Sequence, residues 1–331
     1  MKKRFLATML SAGMLASLAL GTAAQAADVT LVYAETNSAE SPSGQIALHF
    51  KEKVEELTGG SVEIDFQGNG VLGTEVDILN GMVAMAGTVD IERVTSSRLA
   101  NYKCNKNALL GLPFTFENRD HFWKFVDSEL GAEVLAEPAE VGIGVTGLFF
   151  SEEGFRHFFF TKPCESFEDL AGRKIRVAED AIMQGVCEGV GAAPTVVAYN
   201  ELYTSLQSGV VDGAEQPFSP YQDNAFYEVA PYMLLDQHTM GVATVVISDL
   251  AKMKLSEEQW AAVQEAAKDT EAFAKKTMEE SDAAIKTSLE EKGVIFTEVT
   301  DFAPYKEGVT EVIAKFTEGL EDLYQGIVDL A

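Results

Sequence analysis

From Val29 onward the apolar residues switch between two periods. Val29, Leu31 and Tyr33 stand at alternate positions, the spacing of a strand with one face buried. After Ser43-Gly44, the residues Ile46, Ala47, Phe50, Val54 and Leu57 recur at helical spacing until Thr58-Gly59-Gly60 stops them. Val62, Ile64 and Phe66 return to alternation, and Leu72-Gly73-Thr74-Glu75 opens a second helix with Val76, Leu79 and Val83 along one side. A further strand is read at Val89-Asp90-Ile91. Strand and helix in this alternation build an α/β sheet.

The middle of the chain repeats the theme. A mostly apolar run from Val141 to Phe150 predicts a buried strand, and an aromatic-rich stretch covers Phe155 to Phe160. Phe167 to Val177 reads as a short helical turn, a glycine turn and a strand. A helix over 180–189, a strand over 194–198, a helix capped by Asn200 and running to Ser208, and a short strand at Val210-Val211 complete a second α/β unit. Ser256 and Gln259 then form a capping box, and neither glycine nor proline follows until Gly293. At 1.5 Å per residue this helix is on the order of 50 Å long, enough to cross between two lobes. Trp260, Val263, Ala267, Met278, Ile285 and Leu289 are its expected buried stripe, with two helices and an unmarked break as the alternative. A last amphipathic helix is expected from about Tyr305 to Leu330.

Charge and the N-terminus narrow the setting. Lys2, Lys3 and Arg4 precede an apolar run from Phe5 to about Leu20 that ends in Ala24-Gln25-Ala26, the pattern of a secretory signal peptide cleaved after Ala26. The apolar run is shorter than the ~20 residues of a membrane span. The net charge of −27 becomes −30 without that segment's three cations. So acidic a chain repels phosphate backbones, which argues against nucleic-acid binding. Any anionic ligand therefore needs a local positive site. Cys104, Cys164 and Cys187 leave two readings open, one disulfide (Cys164–Cys187 being nearest in sequence) or three thiols. The histidines His49, His121, His157 and His238 are too scattered for a zinc site, and no cofactor is expected.

No G-x-S-x-G elbow, phosphate-binding glycine loop or H-E-x-x-H is present, so nothing points to an enzyme. Arginine placement is more informative. Arg176 ends a predicted strand just before a helix, where open α/β sheets bind ligands. Its planar fork matches a carboxylate with two parallel hydrogen bonds. Arg156 lies at another predicted strand edge. A structural salt bridge is the competing reading for both. Gln216, after the glycine-rich stretch Gly209 to Gly213, offers a donor and an acceptor.

Together these pieces resemble the substrate-binding subunit of tripartite ATP-independent periplasmic (TRAP) transporters, the dicarboxylate-binding family. The resemblance rests on Leu72-Gly73-x-Glu75, Gly154-Phe155-Arg156, the run from Glu168-Asp169-Leu170 to Lys174-Ile175-Arg176-Val177, and Gly191-Ala192-x-Pro194-Thr195. It continues with Glu201-Leu202-Tyr203-x-x-Leu206-Gln207, Gly209-Val210-Val211-Asp212-Gly213-x-Glu215, Phe226-Tyr227-Glu228-Val229 and His238, all in order. It implies a two-lobed periplasmic-binding-protein fold with a cleft, crossing hinge strands and a long inter-lobe helix. Lobe I is then 27–153 plus 242–281, and lobe II is 154–241 plus 282–331. By position, Arg176 looks like the family's carboxylate clamp and Arg156 like its second cleft arginine. Gln216 falls where the family usually has asparagine, and Tyr199 on a position that is often aromatic. Glu179 follows the clamp strand, while Glu35, Thr74, Glu75 and Ser96 are candidates from the first lobe. The resemblance further implies a monomeric binder in the periplasm that hands a small organic acid to membrane permease subunits, or alternatively one that feeds a sensory receptor. Acidic neighbours favour a hydroxylated monocarboxylate over a dicarboxylate, because carboxylates accept from hydroxyls and repel a second anion.

Overall fold

The computed structural model describes residues 27–331, so the expected signal segment and its cleavage after Ala26 lie outside the described residues. The first unit runs β1 (Val29–Ala34), α1 (Pro42–Leu57), β2 (Val62–Gln67), α2 (Glu75–Val83) and β3 (Ile91–Thr95). Thr74 caps α2 where the sequence opened that helix, whereas α1 starts ahead of the expected Ser43-Gly44, at Pro42 with Ser41 as its cap. β1 pairs in parallel with both β2 and β3. Three helices follow, α3 (Asn105–Leu109), α4 (Arg119–Val126) and α5 (Glu129–Val141), and then β4 (Val145–Phe160).

β4 corrects the reading of this region. Val141 belongs to α5, which Gly142 terminates in a left-handed conformation, and the aromatic stretch is the second half of one 16-residue strand. The second unit is β5 (Lys174–Val177), α6 (Ala181–Gly189), β6 (Ala193–Val196), α7 (Leu202–Gln207), β7 (Gly213–Gln216) and α8 (Phe218–Asp223). Here too β5 is the parallel centre, flanked by β6 and β7. Asn200 does not cap α7, which begins from a 3-10 turn over Tyr199–Glu201. Val210-Val211 is not a strand either: β7 starts at Gly213, where a Cβ would lie 2.4 Å from the Phe159 carbonyl of β4.

β8 (Tyr232–Ser248) returns antiparallel to β4 along nearly its whole length. The two strands join the units. β3 pairs with Ala243–Ile247 of β8, while β7 pairs with His157–Phe160 of β4, and β9 (Ile295–Glu298) with Tyr232–Leu235 of β8. The sheet order is β2-β1-β3-β8-β4-β7-β5-β6, with β9 added on β8. The register between β4 and β8 slips between Glu152 and Phe155, where Gly154 has φ +87°. A bulge bends the strand that carries it, here β4, between its pairing with β8 on the β3 side and its pairing with β7.

After α9 (Asp249–Lys252), the helix α10 (Glu257–Glu291) runs unbroken for 35 residues, with both halves of its Ser256–Gln259 capping box formed. Val263, Ala267, Met278 and Leu289 are buried as expected, whereas Trp260 and Ile285 are only half-buried. It packs on α1 at one side and α8 at the other. The expected last helix is instead three, α11 (Ala303–Gly308), α12 (Thr310–Thr317) and α13 (Glu321–Val328). Left-handed Gly319 separates α12 from α13, and Gly308, where α11 ends, meets Gly189 so closely that a Cβ would lie 2.3 Å from its carbonyl. α13 packs back on α5, and the Ile327 carbonyl lies 2.8 Å from His121 Nε2. All three cysteines are buried free thiols; burial raises the Cys104 thiol to about 12 and the Cys164 thiol to about 11.

Candidate functional site

The carboxyl ends of two parallel triplets, β2-β1-β3 and β6-β5-β7, face one cleft. Open parallel sheets bind ligands at these ends because the strands stop there while the following loops and helix starts diverge. The cleft encloses about 680 Å³, within the range of small-molecule sites.

Arg176 is the third residue of β5, flanked by Thr195 of β6 and Ala214 of β7, and is only 3 % exposed. Its Nε donates to the Val197 carbonyl at 2.9 Å, and its guanidinium lies 5.6 Å from the centre of the Tyr199 ring. Among the described residues no carboxylate comes within ion-pair distance of it. Burial pulls its pKa down to about 10, against the attraction of Glu215. A buried, incompletely satisfied cation is costly to keep.

The other arginines lining the cleft are already engaged. Arg93 meets Glu35 and Glu153, each at 2.9 Å, and Arg98 meets Glu75 at 2.7 Å. Arg156, at the β4 bend, is held by Glu215 of β7. Behind Glu215, His238 lies 3.8 Å away and is itself bonded to Asp236 at 2.6 Å. Burial alone would raise the Glu215 carboxyl, but Arg156 and His238 overcome it and hold it at about 2. Burial likewise opposes protonation of His238, yet Asp236 and Glu215 lift it to about 9. The row Asp236, His238, Glu215, Arg156 thus alternates in sign and largely cancels. His157, beside it, is pushed down to about 3 by burial and by His238, so it stays neutral and accepts from the Gln237 amide.

The sequence-derived candidates divide three ways. Arg176, Gln216, Tyr199, Glu179, Thr74 and Glu75 line the cleft. Gln216 ends β7 immediately before Pro217, which cannot extend the strand. The Tyr199 hydroxyl accepts from Asn224 at 2.9 Å, and burial raises its pKa. Arg156 lines the cleft but is committed to Glu215. Glu35 and Ser96 do not reach the cleft. Glu35 is spent on Arg93 and on the backbone and side chain of Asn37, and Ser96 bonds Thr244 of β8 at 2.8 Å. Sequence reasoning missed Arg93, Ser97, Arg98, Asn37 and Glu153, all of which line the cleft. Ser97 and Arg98 follow the carboxyl end of β3. The rule that singled out Arg176 would have found them had that strand been placed at 91–95 instead of 89–91.

Comparison with known proteins agrees with this geometry. A profile described as bacterial extracellular solute-binding protein, family 7 (DctP), matches residues 33–319. A solute-binding protein of Roseobacter denitrificans is 30% identical over 306 residues, 92% of this chain and 93% of the relative. Its crystal structure, a TRAP periplasmic solute-binding protein with bound L-galactonate, matches with a TM-score of 0.84 over 92% of this chain and 99% of that one. A TRAP periplasmic solute-binding protein of Bradyrhizobium, crystallised with galacturonate, matches at 29% identity and a TM-score of 0.85, over 91% and 99% of the two chains. One from Pseudomonas putida with bound D-glucuronate matches at 26% identity and a TM-score of 0.86, over 90% and 96%. The chain belongs to family 7 of the bacterial extracellular solute-binding proteins, the substrate-binding subunits of TRAP transporters.

Proposed function

We propose that the cleft captures a hydroxylated monocarboxylic acid of the sugar-acid class and delivers it to a TRAP permease from outside the cytoplasmic membrane. One observation carries the ligand reading: of the four arginines lining the cleft, Arg176 alone has no carboxylate partner among the described residues. One unneutralised cation suits one carboxylate. The remaining wall offers Gln216, Asn224 and the Arg98-paired Glu75 to hydroxyls, and the Glu179 carboxylate, with no ion pair among the described residues, would repel a second anion. The uronates and the aldonate bound by the relatives have this chemistry. Arg176 grips the carboxylate in two parallel hydrogen bonds, while Gln216 and Tyr199 fix the rest from the same lobe and Thr74 and Glu75 from the other. Arg156 serves as a neutralised, rigid part of the wall.

Capture proceeds by closure of two lobes, 27–153 plus 242–281 and 154–241 plus 282–331, hinged where β4 bends. The last helix reaches back across that division to α5. Closure excludes water and strengthens every charge contact inside. The chain acts as a monomer after removal of residues 1–26. The test is a thermal-shift and calorimetric screen of D-glucuronate, galacturonate and L-galactonate against succinate and malate. A bound ligand stabilises by RT ln(1 + [L]/Kd). Stabilisation by the sugar acids supports the reading; stabilisation by the dicarboxylates alone overturns it.

A further inference from the structure

Ser97 is the second residue of the 3-10 turn (Ser96–Tyr102) that leaves β3, and Asp180 is the N-cap of α6 on the opposite side of the cleft. Both line the cleft. The Ser97 hydroxyl donates to Asp180 Oδ2 at 2.6 Å, while Oδ1 accepts from the Ile182 and Met183 amides at 2.8 and 3.2 Å. Asp180 therefore gives one oxygen to its own helix and the other to the facing lobe.

Ser97 is braced on its own side. The neighbouring Ser96 hydroxyl is tied to Thr244 of β8, which donates to Asn107 at 3.2 Å. Asn107 is in turn bonded to the Glu137 carboxylate and the Val134 carbonyl. Gly111 lies against Ser97 so closely that a Cβ would come within 2.8 Å of the serine Cβ. The donor is fixed by the first lobe's core and the acceptor by a helix start in the second. Parting of the lobes therefore breaks the contact.

We propose that Ser97 and Asp180 form a clasp between the lobes that sets how much of the protein is closed, and hence how long a ligand is retained. They are positioning residues that act through the lobe equilibrium. A contact present in the closed form alone raises the closed population by its own free energy, whatever the ligand. A hydrogen bond to a charged acceptor is stronger than one between neutral groups. The inference rests on the two-lobe reading and is independent of which acid binds.

The test places nitroxide labels at Glu52→Cys on α1 and Glu188→Cys on α6, both exposed, with the native thiols buried. Inter-label distances are measured without ligand by pulsed electron resonance. Ser97→Ala should reduce the ratio of short-distance, closed molecules to open ones about ten-fold, the worth of one charge-assisted hydrogen bond. Asp180→Ser keeps a helix cap, since serine caps as aspartate does, but is too short to serve both lobes, and it should give the same shift. With D-glucuronate as probe, both variants should release it about ten-fold faster, with the capture rate little changed. Unchanged distance distributions in the two variants, or a parent protein with no closed component, overturn the clasp. A distance shift without D-glucuronate binding keeps the clasp and counts against the sugar-acid reading alone.

Discussion

Replacing Arg176 by methionine should weaken ligand binding and strengthen the empty protein. The methionine fills similar length with no charge, so the bound carboxylate would be left buried without its cation. Breaking a buried charge pair from one side costs about 3–5 kcal/mol, or roughly 10²- to nearly 10⁴-fold in Kd. The empty protein responds in the opposite sense. Burial takes the Arg176 pKa from 12.5 to about 10, and at 1.36 kcal/mol per pKa unit this is a penalty of about 3 kcal/mol. Losing the hydrogen bond to Val197 and the contact with the Tyr199 ring returns about 1–2 kcal/mol of that. The net gain of about 1–2 kcal/mol raises Tm by roughly 2–3 °C for a chain of this size. Calorimetry with D-glucuronate and differential scanning calorimetry of the ligand-free variant read the two effects separately. Binding at parental strength, or a ligand-free Tm several degrees below the parent, would refute the argument that this guanidinium is kept at a stability cost for the ligand.

Further expectations follow from the surroundings of the cleft. Glu215→Gln should uncover the charge of Arg156, letting succinate or malate bind about ten-fold better relative to a monocarboxylate, and should lower the His238 pKa from about 9, read by NMR titration. Glu271 of α10 accepts from the Phe150 amide at 3.1 Å, and burial raises its carboxyl to about 7. A carboxyl raised in the folded state favours folding most below its unfolded value near 4.5, and that advantage is lost as pH rises through 7. Glu271→Gln should therefore stabilise by about 1–3 kcal/mol at pH 8 and progressively less towards pH 5, measured by urea unfolding. Gly154→Ala combines a φ of +87° with a Cβ 2.8 Å from Asp282 Oδ2, so it should cost about 2–3 kcal/mol in the same assay.

What could be read in advance is what short-range rules govern. Periodicity located β1, α1, β2 and α2, the capping box located the start of α10, and the strand-end rule pointed to Arg176. These signals are carried by residues a turn or a pleat apart, so the α/β alternation, the long helix and the choice of Arg176 as a candidate could be read along the chain. The errors fell where distant segments override local preference. β4 continues through Gly154 because β8 lies along it, and position 308, where α11 ends, must be glycine because Gly189 occupies the space a side chain would need. The state of the other arginines was likewise decided only in three dimensions. Arg156 and Glu215 are 59 positions apart, and Arg93 and Glu35 are 58 apart, distances at which no pattern along the chain reports an ion pair. Tertiary structure brought those partners together and left Arg176 without one, because only the completed sheet decides which buried charges meet.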